Sequence, residues 1–352
     1  MRAAYAPYKL RFLSPAVTSR SVMLDKDAYL IKVWDESDPG CYGVGECALF
    51  RGLGADDRPD YEARVAQLCR EVNSGVPVSD LSDWGSILFG WETAVNDLRN
   101  GGRRIPFPSG FAQGKEEIVI NGLVWMGSAE EMAGRIRTKL DAGFRCVKLK
   151  IGGISFDREL ELLDFIRRRF APRDLELRLD ANGAFTPVNA MARLEALARY
   201  DIHSIEQPIR QGQYEAMADL CRRSPIDIAL DEELIGLVST VDKTRMLDEV
   251  KPRYIILKPS LCGGFQSADE WIRMAADRGI GWWATSALES NIGLNAIAQW
   301  VSGYHPAMPQ GLGTGMLYAN NVESPLRQER DVLLSDPSGS WRMPELNWIE
   351  PE

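Results

Sequence analysis

The sequence predicts an α/β protein: a (β/α)8-type TIM barrel preceded by an N-terminal α+β domain. Three observations predict it. From about residue 116, short apolar strands alternate with amphipathic helices until eight strands have been counted. Charged residues close five strands in succession, Lys150, Asp180, Glu206, Asp231 and Lys258, at separations of 30, 26, 25 and 27 residues. Such a spacing matches one βα unit of a barrel, about 30 residues, and places the five at one level on the C-terminal rim. Residues 1–115 follow a different pattern, with strands first and then helices.

Within residues 1–115, "AYLIKVW" and "CYGVGECALF" look like antiparallel strands joined by the turn-forming "DESDPG". "DYEARVAQLCREV" and "WGSILFGWETAVNDLRN" have helical periodicity, and "NGGRRIPFP" ends the second helix with glycine and proline. Residues 116–315 hold the barrel, with strands at "EIVINGLVW", "CVKLKIG", "LELRLDANG", "IHSIEQP", "IDIALDEE", "RYIILKPS", "GIGWWATSALES" and "PQGLGTG". The helices between them include "AEEMAGRIRTKLDAG", "DRELELLDFIRRRF", "PVNAMARLEALARY", "QYEAMADLCRRS", "FQSADEWIRMAADRG" and "NIGLNAIAQWVSGY". Residues 316–352 are expected to return to the N-terminal domain.

Composition narrows the function classes. The 352 residues, 45% hydrophobic and 26% charged, suffice for a barrel of about 250 residues plus a second domain. A net charge of −9 with no strongly basic segment argues against nucleic-acid binding. The six cysteines form no CxxC pair, so neither a zinc site nor a disulfide framework is expected, and reduced thiols suit a cytoplasmic location. No apolar run approaches the ~18 residues of a membrane span, and the N-terminus lacks an apolar signal core. The expected partner is a small molecule; the oligomeric state is left open.

Asp180, Glu206 and Asp231 each end an apolar strand. Three carboxylates converging in a barrel mouth repel one another, so a cation is expected among them. With only His203 and His305 as histidines, oxygen ligation of a hard ion is indicated, Mg²⁺ best and Mn²⁺ as a substitute. Arg178 lies two residues before Asp180, on the same face and one layer deeper, where it could orient that carboxylate. Asn182 and Gln207 flank ligands; Asn182 also suits a turn in "DANG".

The strand "CVKLKIG" puts Lys148 and Lys150 on one face and Val147, Leu149 and Ile151 on the other. Alone, that describes either a solvated edge or the wall of a site. Lys150 is on the second barrel strand and Lys258 on the sixth, diametrically opposed, with the acids on the arc between. A substrate lying on the metal would have a lysine on each side.

In this order and spacing, "KLKIG", "RLDANG", "SIEQP", "LDEE" and "ILKPS" resemble the enolase superfamily, and more narrowly its muconate-lactonizing subgroup. The resemblance covers nearly the whole chain and implies that residues 1–115 are a capping domain. It implies a Mg²⁺-stabilised ene-diolate and a lysine base, features of this superfamily. "GVGECALFRGL", "INGLVWMG", "FGWETAVNDLRNGGR", "SALESNIGLNAIAQW" and "GLGTG" resemble the subgroup's dehydrating members. Those act on a succinyl-bearing hydroxycyclohexadiene carboxylate in menaquinone synthesis. By that resemblance Lys150 removes the proton α to the carboxylate and returns it to the departing hydroxyl in a syn elimination. Lys258 then stabilises the anion. The alternatives are a cycloisomerase or an N-acylamino acid racemase of the subgroup, or a metal-binding barrel without catalysis. The absence of an acidic pair in "GLGTGM" argues against dipeptide epimerisation, and the lack of a histidine in "LKPSLCGG" or "ATSALES" against the mandelate-racemase type. The cap loops "PAVTSRSVML" and "ALFRGLG" offer Arg20, Phe50, Arg51 and Leu53 as substrate contacts. Ser286, Ser290 and Asn291 are candidates at the seventh strand and the helix after it. Trp282 and Trp283 are expected in the core.

Overall fold

The computed structural model describes residues 1–17 and 22–351. β1 (Arg2–Val17), β2 (Val22–Asp35) and β3 (Asp38–Cys47) form an antiparallel meander. α1 (Tyr61–Asn73) and α2 (Gly85–Arg99) bury Val65, Leu68, Ile87 and Ala94 against Tyr29, Ile31 and Val33 of that sheet. The "GVGEC" stretch has a steric reason: a Cβ on Gly45 would sit 1.9 Å from the Gly90 carbonyl oxygen of α2. Only a residue without a side chain lets helix and strand approach so closely.

After β4 (Ile118–Val119) come seven parallel strands whose order around the ring follows the chain. They are β5 (Gly122–Val124), β6 (Cys146–Lys150), β7 (Glu176–Asp180), β8 (Ser204–Glu206), β9 (Ile228–Leu230), β10 (Tyr254–Leu257) and β11 (Gly281–Ala284). Helices α3 (Ala129–Asp141), α4 (Phe156–Arg167), α5 (Pro187–Ala198), α6 (Tyr214–Arg223), α7 (Thr240–Val250), α8 (Gly264–Ala276) and α9 (Asn291–Ser302) alternate with them. Ser128 with Glu131, and Thr186 with Asn189, form the reciprocal N-cap bonds that start α3 and α5.

Three features depart from the sequence expectation. The eighth strand shrinks to two parallel bridges, Gln310 to Ile120 and Gly311 to Thr285, which close the ring between β11 and β5. A Cβ on Gly311 would meet Thr285 Oγ1 at 1.7 Å, so this seam depends on glycine. Secondly, α7 was not among the expected helices. Its pattern is masked because Lys243 is buried on the apolar face while Val241 is 75% exposed. Lys243 is held there by Ser267 and Glu270. Thirdly, the five rim charges are not all in register. Lys150, Asp180 and Glu206 are direct partners across β6, β7 and β8, but Glu206 pairs with Ala229, two residues before Asp231. The step is the stagger of a tilted barrel, about one residue per strand, which keeps inward side chains level.

Parts of the C-terminal segment contact the N-terminal sheet and parts contact β4. Tyr5 and Ile349 exchange backbone hydrogen bonds of 2.9 and 2.8 Å, and the Asn320 side chain binds the backbone of Lys9 and Arg11. β12 (Leu326–Glu329) and β13 (Val332–Ser335) form a hairpin that pairs with β4. All six cysteines are free thiols. Among the described residues no helix is long and apolar enough to cross a membrane.

Candidate active site

All five residues of β6 are buried, so the lysine face is not a solvated edge. Lys148 and Lys150 point into the barrel mouth, where their charge must be matched. Lys148 Nζ donates to Glu206 at 2.7 Å and lies 3.2 Å from Asp180. Lys150 Nζ donates to Asp180 Oδ2 at 2.7 Å and to Asn182 Oδ1 at 2.8 Å, and stands 5.7 Å from the Trp125 ring centre. Across the mouth, Lys258 Nζ donates to Asp231. The paired acids and amines are buried except Lys258, whose side chain is 13% exposed, and burial strengthens each pairing.

The charges shape one another. Burial alone would push the Lys148 ammonium down, yet Glu206 and Asp180 hold it well above its usual range. Lys258 is likewise raised by Asp231 and Glu206 against its burial. Asp180 is lowered despite burial, by Lys150 and then Lys148. Glu206 goes the other way: burial and the neighbouring Asp180 charge push it up to about 8. Its Oε1 is buried and accepts no hydrogen bond.

The expected converging triad is therefore modified. Among the described residues no three acidic, histidine or cysteine side chains sit at metal-binding spacing. The ammonium groups of Lys148, Lys150 and Lys258 take up the carboxylate oxygens, the physical outcome when lysines are the available cations.

Lys148, Lys150, Asp180, Asn182 and Lys258 form the floor of a cavity of about 640 Å³ roofed by the cap. Met23, Leu24 and Lys26 of β2 line it with Phe50, Arg51 and Leu53 of the loop after β3. On the barrel side Trp125, Asn121, Thr285, Ser286, Leu288 and Thr314 complete the wall.

A family model described as Enolase C-terminal domain-like matches residues 131–334. The chain belongs to the enolase superfamily. It is 45% identical over 366 aligned positions to an o-succinylbenzoate synthase of Desulfotalea psychrophila, covering 95% of this chain and 98% of that protein. Its fold superposes on the crystal structure of MenC from the same organism with a TM-score of 0.85, at 42% identity, covering 95% and 99% of the two chains. The o-succinylbenzoate synthase of Thermosynechococcus elongatus BP-1, whose structure was solved with Mg in the active site, superposes at a TM-score of 0.74. At 24% identity over 91% of this chain and 95% of that one, that likeness is one of fold.

Lys148, Lys150, Asp180, Glu206, Asp231 and Lys258 stand together at the barrel mouth, and Asn182 accepts from Lys150. Phe50, Arg51, Leu53 and Ser286 line the cavity. Arg20 lies outside the described residues. Three expectations are corrected. Arg178 does not reach Asp180: it donates to Glu176 at 2.7 Å and to the Pro309 carbonyl, with its guanidinium 4.4 Å from the Trp283 ring centre. Lys148, its neighbour across the strands, is shorter and contacts the acids instead. Ser290 caps α9 and gives its backbone N–H and hydroxyl to Glu46, so it is spent on joining barrel to cap. Asn291 is bound to Asn321 and the Val322 carbonyl. Neither lines the cavity. Gln207 joins Glu233 and the Asp231 backbone, supporting the strand end. Trp283 is buried in the core with Trp282 packed at its edge, as expected.

Sequence reasoning missed Lys26, Asn121, Trp125, Thr285 and Thr314. Asn121 and Trp125 had a signal, since they flank the first barrel strand, one before it and one after it. Lys26 had none: between Asp25 and Asp27 it reads as part of a solvated hairpin.

Proposed function

We propose that this protein is a Mg²⁺-dependent hydro-lyase. It converts 2-succinyl-6-hydroxy-2,4-cyclohexadiene-1-carboxylate to o-succinylbenzoate, a step of menaquinone biosynthesis. The observation that carries the proposal is the 45% identity to an o-succinylbenzoate synthase over almost the full length of both chains. The buried lysine and carboxylate rim is the chemistry such a reaction requires.

The donor set fits a hard divalent cation. Three carboxylates supply oxygen only, and the orphaned Glu206 Oε1, on a carboxylate raised by burial and then by the neighbouring Asp180 charge, is an acceptor in need of positive charge. Asp180, Glu206 and Asp231 would hold Mg²⁺, or Mn²⁺ in its place, and when bound the ion supplies Lewis-acid charge for the substrate carboxylate.

The chain's own groups do the rest. Lys150, as free amine, takes the proton α to the ring carboxylate; the electron pair remains on the substrate. Lys148 and Lys258 keep their ammonium charge and favour that developing dianion over the ground state. The Lys150 ammonium then donates the same proton to the hydroxyl leaving the ring on the same face. The C–O bond breaks, water departs and the ring becomes aromatic. Asn182 Oδ1 orients Lys150 throughout, and the cap excludes bulk water. The test is incubation of the purified protein with Mg²⁺ and the cyclohexadiene, following the aromatic product by absorbance. Turnover is expected. Racemisation of N-acylamino acids without dehydration would replace this reading with its sister activity.

A further inference from the structure

The cavity wall contains an ammonium group without a hydrogen-bond partner among the described residues. Lys26, on β2, is 6% exposed, lines the cavity, and its Nζ donates to no described residue. Acids surround it, but each is engaged elsewhere. Glu46 accepts from Ser290 and Gly293, and Glu289 from Ser260 and Ser286. Asp56 accepts from Ser86, and Asp27 from Lys9 and Arg51. Burial lowers the affinity of Lys26 for its proton, against the pull of Glu46 and Glu289. A lysine has three donors, and leaving all of them unused in a buried site is costly unless something supplies acceptors.

The same cavity collects further orphans. Asn121 Oδ1, Thr285 Oγ1 and Thr314 Oγ1 are buried without hydrogen-bond partners among the described residues, and all three residues line it. On the floor, by contrast, every lysine is bound to an acid. Apart from Glu206 Oε1 on the rim, these unpaired atoms thus belong to the β2 lysine and to residues flanking β5, β11 and the eighth-strand segment. Buried polar groups left unpaired in a protein call for an explanation, and a ligand that supplies the missing partners is one.

We propose that Lys26 is a specificity-determining residue that binds the terminal carboxylate of the substrate's succinyl chain. This rests on the function proposed above. That substrate has two carboxylates: the rim takes the one on the ring, and the tail needs a cation elsewhere in the cavity. Met23, Leu24 and Phe50 provide the apolar wall that a methylene chain would cross to reach it. The tail ketone can use the unpaired threonine hydroxyls as donors. Lys26 touches no reacting atom, so its role is recognition.

The test compares binding of o-succinylbenzoate with that of its tail amide, by calorimetry at saturating Mg²⁺, to the wild type and to Lys26→Met. The wild type is expected to prefer the acid by about 30-fold or more, as for a buried charge pair. Lys26→Met should lose that preference and keep its thermal stability, because it removes an uncompensated buried charge. In turnover, the Lys26→Met variant should raise KM with little change in kcat, and Lys26→Arg should restore part of the affinity. A purely structural lysine would leave the acid-to-amide ratio untouched. Equal discrimination in wild type and Lys26→Met overturns the assignment, as does a wild type that does not discriminate. If Lys26→Met fails to fold, Lys26→Gln takes its place and the wild-type ratio still decides. A protein that dehydrates the ring substrate but fails this comparison loses only the Lys26 assignment. One that passes it without dehydrating loses only the proposed activity.

Discussion

The floor and the roof of the cavity follow opposite rules. On the floor, from β6 to β10, buried charges are paired: Lys148 with Glu206 and Asp180, Lys150 with Asp180 and Asn182, Lys258 with Asp231. On the roof and along the β11 seam, Lys26, Thr285, Thr314 and Asn121 carry buried polar atoms without partners among the described residues. Pairing fixes positions, which proton transfer needs because a base must stand within hydrogen-bond reach of one hydrogen. Unpaired groups store recognition, because the molecule that satisfies them is bound in preference to one that cannot. Under the proposed function, chemistry is built into rigid strands and specificity is carried by the cap and the barrel's seam.

The comparison can be broken most sharply at the floor. Replacing Lys150 by Ala should lower kcat by roughly 10²–10⁴-fold, the range for loss of a general base, with KM little changed. Steady-state kinetics on the ring substrate checks it; wild-type turnover in this variant would return the lysine face to a structural role. The next largest effect is expected for Glu206→Gln. It should weaken Mn²⁺ binding by about 100-fold or more, beyond the 10–100-fold cost of losing a supporting group. Calorimetry on the ligand-free protein reads this directly, independent of activity.

The seam is sharpened by Gly311→Ala. A methyl group 1.7 Å from Thr285 Oγ1 must push the two bridging residues apart. A loss of about 1–3 kcal/mol of stability is expected from the overpacking, with the affinity for o-succinylbenzoate and for its tail amide falling alike because Thr285 moves. Thermal melting and the calorimetric comparison measure the two halves of this prediction. The smallest effect concerns how cap and barrel are joined. Glu92 of α2 accepts the backbone N–H of Phe265 at the start of α8, and burial pushes its carboxyl up to about 7. An acid raised in the folded state adds stability below its unfolded value near 4.3 and loses that contribution as pH rises through about 7. Melting temperatures of wild type minus Glu92→Gln should therefore decline between pH 5 and about pH 8. A flat difference would mean that Glu92 is ionised throughout.

How much of this was legible in the sequence follows the same division. The floor was legible because a barrel repeats, so Lys150, Asp180, Glu206, Asp231 and Lys258 carry a common phase that hydrophobicity alone does not. The roles of Arg178, Ser290 and Asn291 were not, since side-chain length and capping geometry decide where a polar group is spent. Arg178 reaches past the acids to Glu176 and Pro309, and Ser290 is drawn to Glu46, 244 residues away in the chain. The helix at Thr240–Val250 was hidden by a buried lysine and an exposed valine on reversed faces. Lys26 was invisible because its burial arises from the cap closing over the barrel, a long-range contact with no local pattern.

The central claim is that Asp180, Glu206 and Asp231 surrender their lysine partners to one divalent ion while Lys150 and Lys258 remain on either side of the bound acid. A crystal structure of the protein with Mn²⁺ and o-succinylbenzoate, with the metal located by its anomalous signal, tests it most directly. The account predicts a single rim peak bound by the three carboxylates, with Lys150 and Lys258 flanking the ring. A peak elsewhere, or lysines still locked on the acids with the ligand bound, would contradict it.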